Sequence, residues 1–185
     1  MQGLLAVSRL VDRVNAGIGR TVSWLILASV LVSSINATVR YIFNASSNAW
    51  LELQWYLFAA VFLLGAGYTL LRNEHVRIDI LVSRLSPRGR ALVDILGGLF
   101  FLLPMALLIM YLSWSGFVQS YQLHEFSADA GGLLRWPARL LIPVGFLLLS
   151  AQGISEIIKR IAFLAGAAPD PTEKTVDPHT EHAAN

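Results

Sequence analysis

Polar and apolar positions along this chain separate into long blocks rather than alternating over short ones. Uncharged, apolar-rich runs cover Thr21 to Val39, bounded by Arg20 and Arg40, and Leu53 to Leu71, bounded by Glu52 and Arg72. A third begins after Asp94 and stays uncharged to His124, longer than one membrane crossing needs, with its end between Ser113 and Gln119. A fourth, Leu140 to Ser155, is short, but Leu133–Leu134 and Ile157–Ile158 extend it if Arg139 snorkels. About 20 apolar residues in a helix cross a hydrocarbon core about 30 Å thick. The runs predict an all-α membrane protein with four transmembrane helices, over residues 21–40, 52–72, 92–115 and 136–158. Barrel strands do not fit, because the runs are too long and lack alternation. The first run exceeds the apolar core of a signal peptide and no small-residue cleavage site follows it, so a retained signal anchor is expected.

A shorter period marks the N-terminus. Leu4, Val7, Val11, Val14 and Ile18 recur at three- and four-residue spacing, with Arg9, Asp12, Arg13 and Asn15 largely on the other side. This predicts an amphipathic helix over residues 1–20 lying in the cytoplasmic interface, with docking on a partner protein as the alternative. Residues 161–185 carry Pro169, Pro171 and Pro178 with mixed charge and few large apolar groups, which predicts a disordered cytoplasmic tail. Ser86-Pro87 matches an N-cap followed by proline at the first helical position, and Trp136-Pro137 starts the fourth span in the same way. Pro104 and Pro143 fall inside spans, where each removes a backbone hydrogen bond and bends its helix.

Charge sets the orientation. Arg9, Arg13, Arg20, Arg72, Arg77, Arg84, Arg88, Arg90, Lys159 and Arg160 collect on one side, against Arg40, Arg135 and Arg139 on the other. The positive-inside rule then gives an N-in/C-in arrangement, with connections 41–51 and 114–135 outside. Trp24, Trp50, Trp55, Trp114 and Trp136 lie at or near span ends, where an aromatic belt sits. Composition agrees: 55% of the 185 residues are hydrophobic and 14% are charged, whereas a soluble domain carries about 25% charged residues. The net charge of +2 is scattered between apolar runs, without the basic face that nucleic-acid binding requires.

Candidate chemistry is sparse. The chain has no cysteine, which excludes disulfides, thiolate metal sites and cysteine nucleophiles. His75, His124, His179 and His182 all fall outside the spans, so no pair is placed to ligate a haem in the bilayer, and no cofactor or metal is expected. Glu52, Asp94 and Glu156 fall at span ends rather than span centres, which argues against a self-contained ion-driven pump. No serine–histidine or paired-carboxylate set shares a depth, so no enzyme activity is expected. Arg40 and Glu52 flank a short outer connection; they can pair with each other, with another subunit, or with lipid headgroups. Gly65 and Gly67, with Gly97 and Gly98, permit close helix approach.

Several stretches together resemble one family. They are Arg40-Tyr41-Ile42-Phe43-Asn44, WLELQWYLF at 50–58, LLGAGYTLLRNEHVRIDIL at 63–81 and EFSADAGGLLRWPARLLIPVGFLLLSAQGISEIIKR at 125–160. The chain resembles the DctQ-type small membrane subunit of tripartite ATP-independent periplasmic (TRAP) transporters, over most of residues 20–160. The resemblance implies a non-catalytic scaffold in the bacterial inner membrane. It also implies two partners: a large membrane subunit carrying the substrate and sodium sites, and a periplasmic binding protein that captures an organic acid. Partner-facing residues on that reading are Arg40, Trp50, Glu52 and Trp55 at the outer interface, and Glu125, Ser127, Asp129, Gly131 and Gly132 in the larger outer loop. Arg72, His75, Arg77 and Asp79 form a cytoplasmic motif. The competing classes are a membrane anchor for an enzyme complex and a self-contained small homo-oligomeric transporter.

Overall fold

The computed structural model describes residues 2–44, 47–73 and 85–169. Among the described residues five α-helices run in chain order: α1 (Gln2–Phe43), α2 (Asn48–Leu71), α3 (Pro87–Gly97), α4 (Leu103–Gln122) and α5 (Trp136–Leu164). A single π-helical turn, Gly98–Leu102, joins α3 directly to α4, so the two form one rod. Four helical units are then long and apolar enough to cross a membrane: α1, α2, the α3–α4 rod and α5. The start of α3 is as the sequence predicts, with the Ser86 hydroxyl accepting the Gly89 amide at 3.2 Å and Pro87 in the first turn. Helix α5 likewise begins at Trp136 with Pro137 in its first turn.

The π turn has a local cause. A proline ring collides with the carbonyl four residues earlier, which for Pro104 is that of Phe100. Widening the turn at 98–102 makes room for the ring and lets the rod continue to Gln122.

The packing is inside-out relative to a soluble domain. Among the described residues the buried apolar side chains are Val22, Ala60, Ala91, Ala106 and Ala162, while Phe62, Phe101, Tyr111 and Trp24 stand outward, each more than 70% exposed. Lipid is as apolar as leucine, so burying large apolar groups between helices gains little. Helices in a bilayer associate instead through small residues and polar contacts. The buried positions of α1 show it: Ser8, Asn15, Val22, Ser29 and Asn36 recur at seven-residue intervals, with Gly19 beside them. A seven-residue seam is that of a left-handed helix crossing.

Helix α5 is the centre of the array. Helices α1 and α2 pack on each other and both pack on α5, whereas the extensive contacts of the α3–α4 rod, among the described residues, are with α5. A third of the apolar window of α5 is buried, against 6% of that of the rod. The four spans therefore form an open array, with the rod attached along one side.

The N-terminal segment differs from the expectation. It is continuous with the first span, and α1 is about 63 Å long at 1.5 Å per residue, about twice the hydrocarbon thickness. Its apolar residues Leu4, Val7 and Val14 face outward, and the side carrying Ser8, Asp12 and Asn15 is the one that packs on α5. The difference lies in the continuity with the span and in the polar side, where hydrogen-bonding groups make the contact with α5.

Candidate partner-contact sites

The loop between α4 and α5 is a folded hairpin. Its two arms are joined by the Phe126–Leu134 bridge, by the Ser127 amide donating to the Leu133 carbonyl at 2.9 Å, and by the Arg135 amide donating to the Glu125 carbonyl at 2.8 Å. Gly131 turns the tip with a φ of 73°, a left-handed conformation that glycine adopts without a Cβ penalty. Helix α2 holds the hairpin from the side. A Glu52 oxygen accepts the Leu133 amide at 2.6 Å, the Tyr56 hydroxyl donates to the Leu134 carbonyl at 3.0 Å, and the Asn48 amide donates to the Ala130 carbonyl at 3.0 Å. Gly132 is required by this closeness, since a Cβ there would fall 2.5 Å from Ser127 and 2.8 Å from the Glu52 carboxylate.

Glu125 anchors the other side. It pairs with Arg139 at 2.8 Å and with Arg135 at 3.4 Å. Burial works to raise its carboxyl, but the neighbouring Ser120 hydroxyl and the Arg139 and Arg135 guanidiniums outweigh that and hold it below the usual carboxylate range. A carboxyl lowered in the folded state stabilises above its unfolded value and loses that contribution as pH falls through its folded value. The hairpin amides are therefore expected to stay protected from hydrogen exchange at neutral pH and to lose protection only in acid below the ordinary carboxylate range. Equal protection throughout would contradict the role of this pair. Replacing Glu52 with glutamine should speed exchange of the Leu133 amide while leaving the amides inside α2 unchanged, because only the former loses a charged acceptor.

These contacts sort the residues singled out from the sequence. Glu52, Glu125, Ser127 and Gly132 come together in the hairpin, and the Asp129 carbonyl closes its tip by accepting the Gly132 amide at 3.0 Å. Glu52 is thus directed at the hairpin, and among the described residues no ion pair joins it to Arg40. Arg40 instead lines a separate notch with Ser33, Asn36, Tyr41 and Gln54. Trp50 and Trp55 stand outward, Trp55 the more exposed of the two. Arg72 caps α2 and lies over the Tyr68 ring, 5.8 Å from its centroid. His75, Arg77 and Asp79 lie outside the described residues.

The opposite end of the array holds a polar ladder that the sequence reading did not find. From α1, Ser8, Asp12 and Asn15 meet Gln152, Ser155, Glu156 and Lys159 of α5. The Lys159 ammonium donates to Asp12 at 3.2 Å and to Glu156 at 2.5 Å. Gln152 donates to Asp12 at 2.8 Å and to Glu156 at 3.0 Å, and accepts from Asn15 at 2.9 Å. Ser155 donates to Asp12 at 2.9 Å and shares a hydrogen bond with Ser8 at 2.6 Å. The remaining Asn15 oxygen points at Gly67 of α2, where a Cβ would fall 2.5 Å away, so the absent side chain makes the three-helix junction possible. A neighbouring pair, Arg160 and Asp94 at 3.0 Å, ties the rod to α5. The signal that could have revealed the ladder is the seven-residue stripe of small and polar residues on α1.

The arrangement defines a multi-pass helical membrane protein whose polar groups fasten its own helices. Residues 29–163 match the family described as tripartite ATP-independent periplasmic transporters, DctQ component. A curated protein of Haemophilus influenzae, named as a TRAP transporter small permease protein, is 32% identical over 143 residues, covering 77% of this chain and 86% of its own length. The chain belongs to the DctQ family of TRAP transporter small subunits, which are components of transporters and not enzymes.

Proposed function

We propose that the chain is the static scaffold of a sodium-coupled TRAP transporter that imports organic acids across the bacterial inner membrane. Its partners are a large membrane subunit and a periplasmic binding protein, and lipid surrounds the rest of its apolar face. The observation that carries this reading is the family match, which runs from residue 29, within α1, to residue 163 near the end of α5. The ladder and hairpin support the passive role: Asp12 and Glu156 are engaged by Lys159, Asp94 by Arg160, Glu125 by two arginines and Glu52 by a backbone amide. Carboxylates committed to structural contacts are not poised to carry a coupling ion.

The chain sits N-in/C-in on this reading. The ladder and Lys159 then lie toward the cytoplasm and the hairpin toward the periplasm, following the arginine distribution. The hairpin, with exposed Leu123 and Phe126, is the platform for the binding protein. The α3–α4 rod is the surface for the large subunit, because its outward side chains Phe100, Phe101, Met105 and Tyr111 remain uncovered. Beside it a cleft of about 770 Å³, lined by Gly97, Phe101, Met105, Gly153 and Ile157, can take side chains of a neighbouring helix.

Reconstitution tests the role. Proteoliposomes holding the large subunit, this chain and the binding protein should take up organic acid under an inward sodium gradient. Leaving out this chain should abolish uptake, and this chain alone should move nothing. Transport by the chain alone, or undiminished uptake without it, overturns the scaffold reading.

A further inference from the structure

The inner ends of the helices carry their charges unevenly. On the α5 side, Asp12, Glu156 and Asp94 are matched by Lys159 and Arg160. Away from that seam, Arg9, Arg13 and Arg20 are exposed on α1 and Arg72 is exposed at the end of α2. Two of these, Arg20 and Arg72, flank a notch of about 430 Å³ whose other walls are Ala16, Tyr68 and Leu71. No carboxylate lines it among the described residues.

The notch is built rather than incidental. The Tyr68 ring rests where Gly19 would carry a Cβ, so the glycine fixes the ring against α1. Arg72 is in turn stacked over that ring. Arg20 uses its Nε hydrogen on the Ala16 carbonyl at 3.4 Å, which orients the guanidinium. Along the same face of α1, at i+4, i+7 and i+11 from Arg20, stand Trp24, Leu27 and Leu31, all at least half exposed. Two planar cations therefore sit at the foot of an apolar stripe.

We propose that this notch binds the phosphate headgroup of an anionic phospholipid in the inner leaflet, with an acyl chain along Trp24, Leu27 and Leu31. Guanidinium groups bind phosphate oxygens in a forked geometry, and two of them neutralise one phosphodiester with charge to spare. A zwitterionic lipid would bring its own cation against Arg20 and Arg72, which disfavours it. The leaflet assignment rests on the N-in orientation proposed above; the headgroup chemistry does not.

The test is native mass spectrometry of the full chain in mild detergent, titrated with phosphatidylglycerol, phosphatidylcholine or inorganic phosphate. The wild-type chain should retain phosphatidylglycerol about tenfold better than phosphatidylcholine. The double variant R20Q/R72Q should lose about thirtyfold in phosphatidylglycerol retention, from two juxtamembrane cations. R88Q, which removes an exposed arginine elsewhere, should match wild type, and millimolar inorganic phosphate should not displace the lipid. Equal retention of the two lipids by wild type overturns the proposal, as does an equal loss in R88Q. Displacement by inorganic phosphate would identify a free-anion site instead and overturn the lipid assignment. If R20Q/R72Q does not give a monodisperse protein, the wild-type lipid comparison decides the question alone. Orientation is read separately, by labelling a single cysteine introduced at Arg88 in sealed vesicles, since the chain has no cysteine of its own. Labelling from outside would overturn the N-in reading and leave the binding result standing.

Discussion

Alanine at Gly145 is expected to destabilise the helical array by about 3 kcal/mol, the upper end of what overpacking a close contact costs. A Cβ at this position would fall 2.7 Å from the Leu63 carbonyl oxygen and 3.0 Å from its carbonyl carbon, so the obstacle is backbone and cannot rotate away. Helices α2 and α5 must separate, and α2 carries with it the Asn15–Gly67 junction and the Glu52 anchor of the hairpin. Alanine at Gly116 is the matched comparison, because nothing lies within 4 Å of a Cβ there. It should change stability by less than about 0.5 kcal/mol. Unfolding in mixed micelles measures both; equal shifts would mean that the α2–α5 contact is not as close as described.

The second large effect is expected from Lys159→Met. This leaves Asp12 and Glu156 sharing the Gln152 amide with no cation between them, in a ladder where all three charged side chains are at most 24% exposed. Removing one member of a buried charge set is costly because its partners stay behind, whereas neutralising all members together is often tolerated. Lys159→Met should therefore lower stability by about 2–3 kcal/mol. The triple variant Asp12→Asn, Glu156→Gln, Lys159→Met should recover most of the loss. If the triple variant is as unstable as the single one, the cost comes from lost lysine packing and not from unpaired charge.

The four spans were legible because a bilayer demands long uncharged runs, and that demand leaves few alternatives. The cap at Ser86-Pro87 was legible because its chemistry is local; at the start of α5 the proline was legible but the cap position is Arg135, without a side-chain hydrogen bond. The ladder between α1 and α5 was not legible. Asp12 and Lys159 are 147 residues apart in sequence, and neither shows its partner in its neighbours. Reading residues 1–20 as a separate interfacial helix also gave no hint that its polar side packs on α5. Read with period seven, Ser8, Asn15, Ser29 and Asn36 would have marked the seam, because small and polar residues hold helices together in lipid. Glu52 was singled out as a partner-facing residue, and its contact with Leu133 of the same chain depends on how the hairpin folds back across α2, which spacing does not encode. That the α3–α4 rod stands largely uncovered was visible only once the helices were placed, although its apolar run is the stronger of the two.

The central claim is that this array is one part of a larger membrane complex. The most direct measurement is purification of the tagged chain from its native membrane in mild detergent, with mass spectrometry of what accompanies it. The account predicts a much larger multi-pass membrane protein in equimolar amount, lost when bulky charges are placed on the outward face of the rod at Phe101 and Tyr111. Recovery of the chain by itself, or with a soluble redox enzyme, would contradict it.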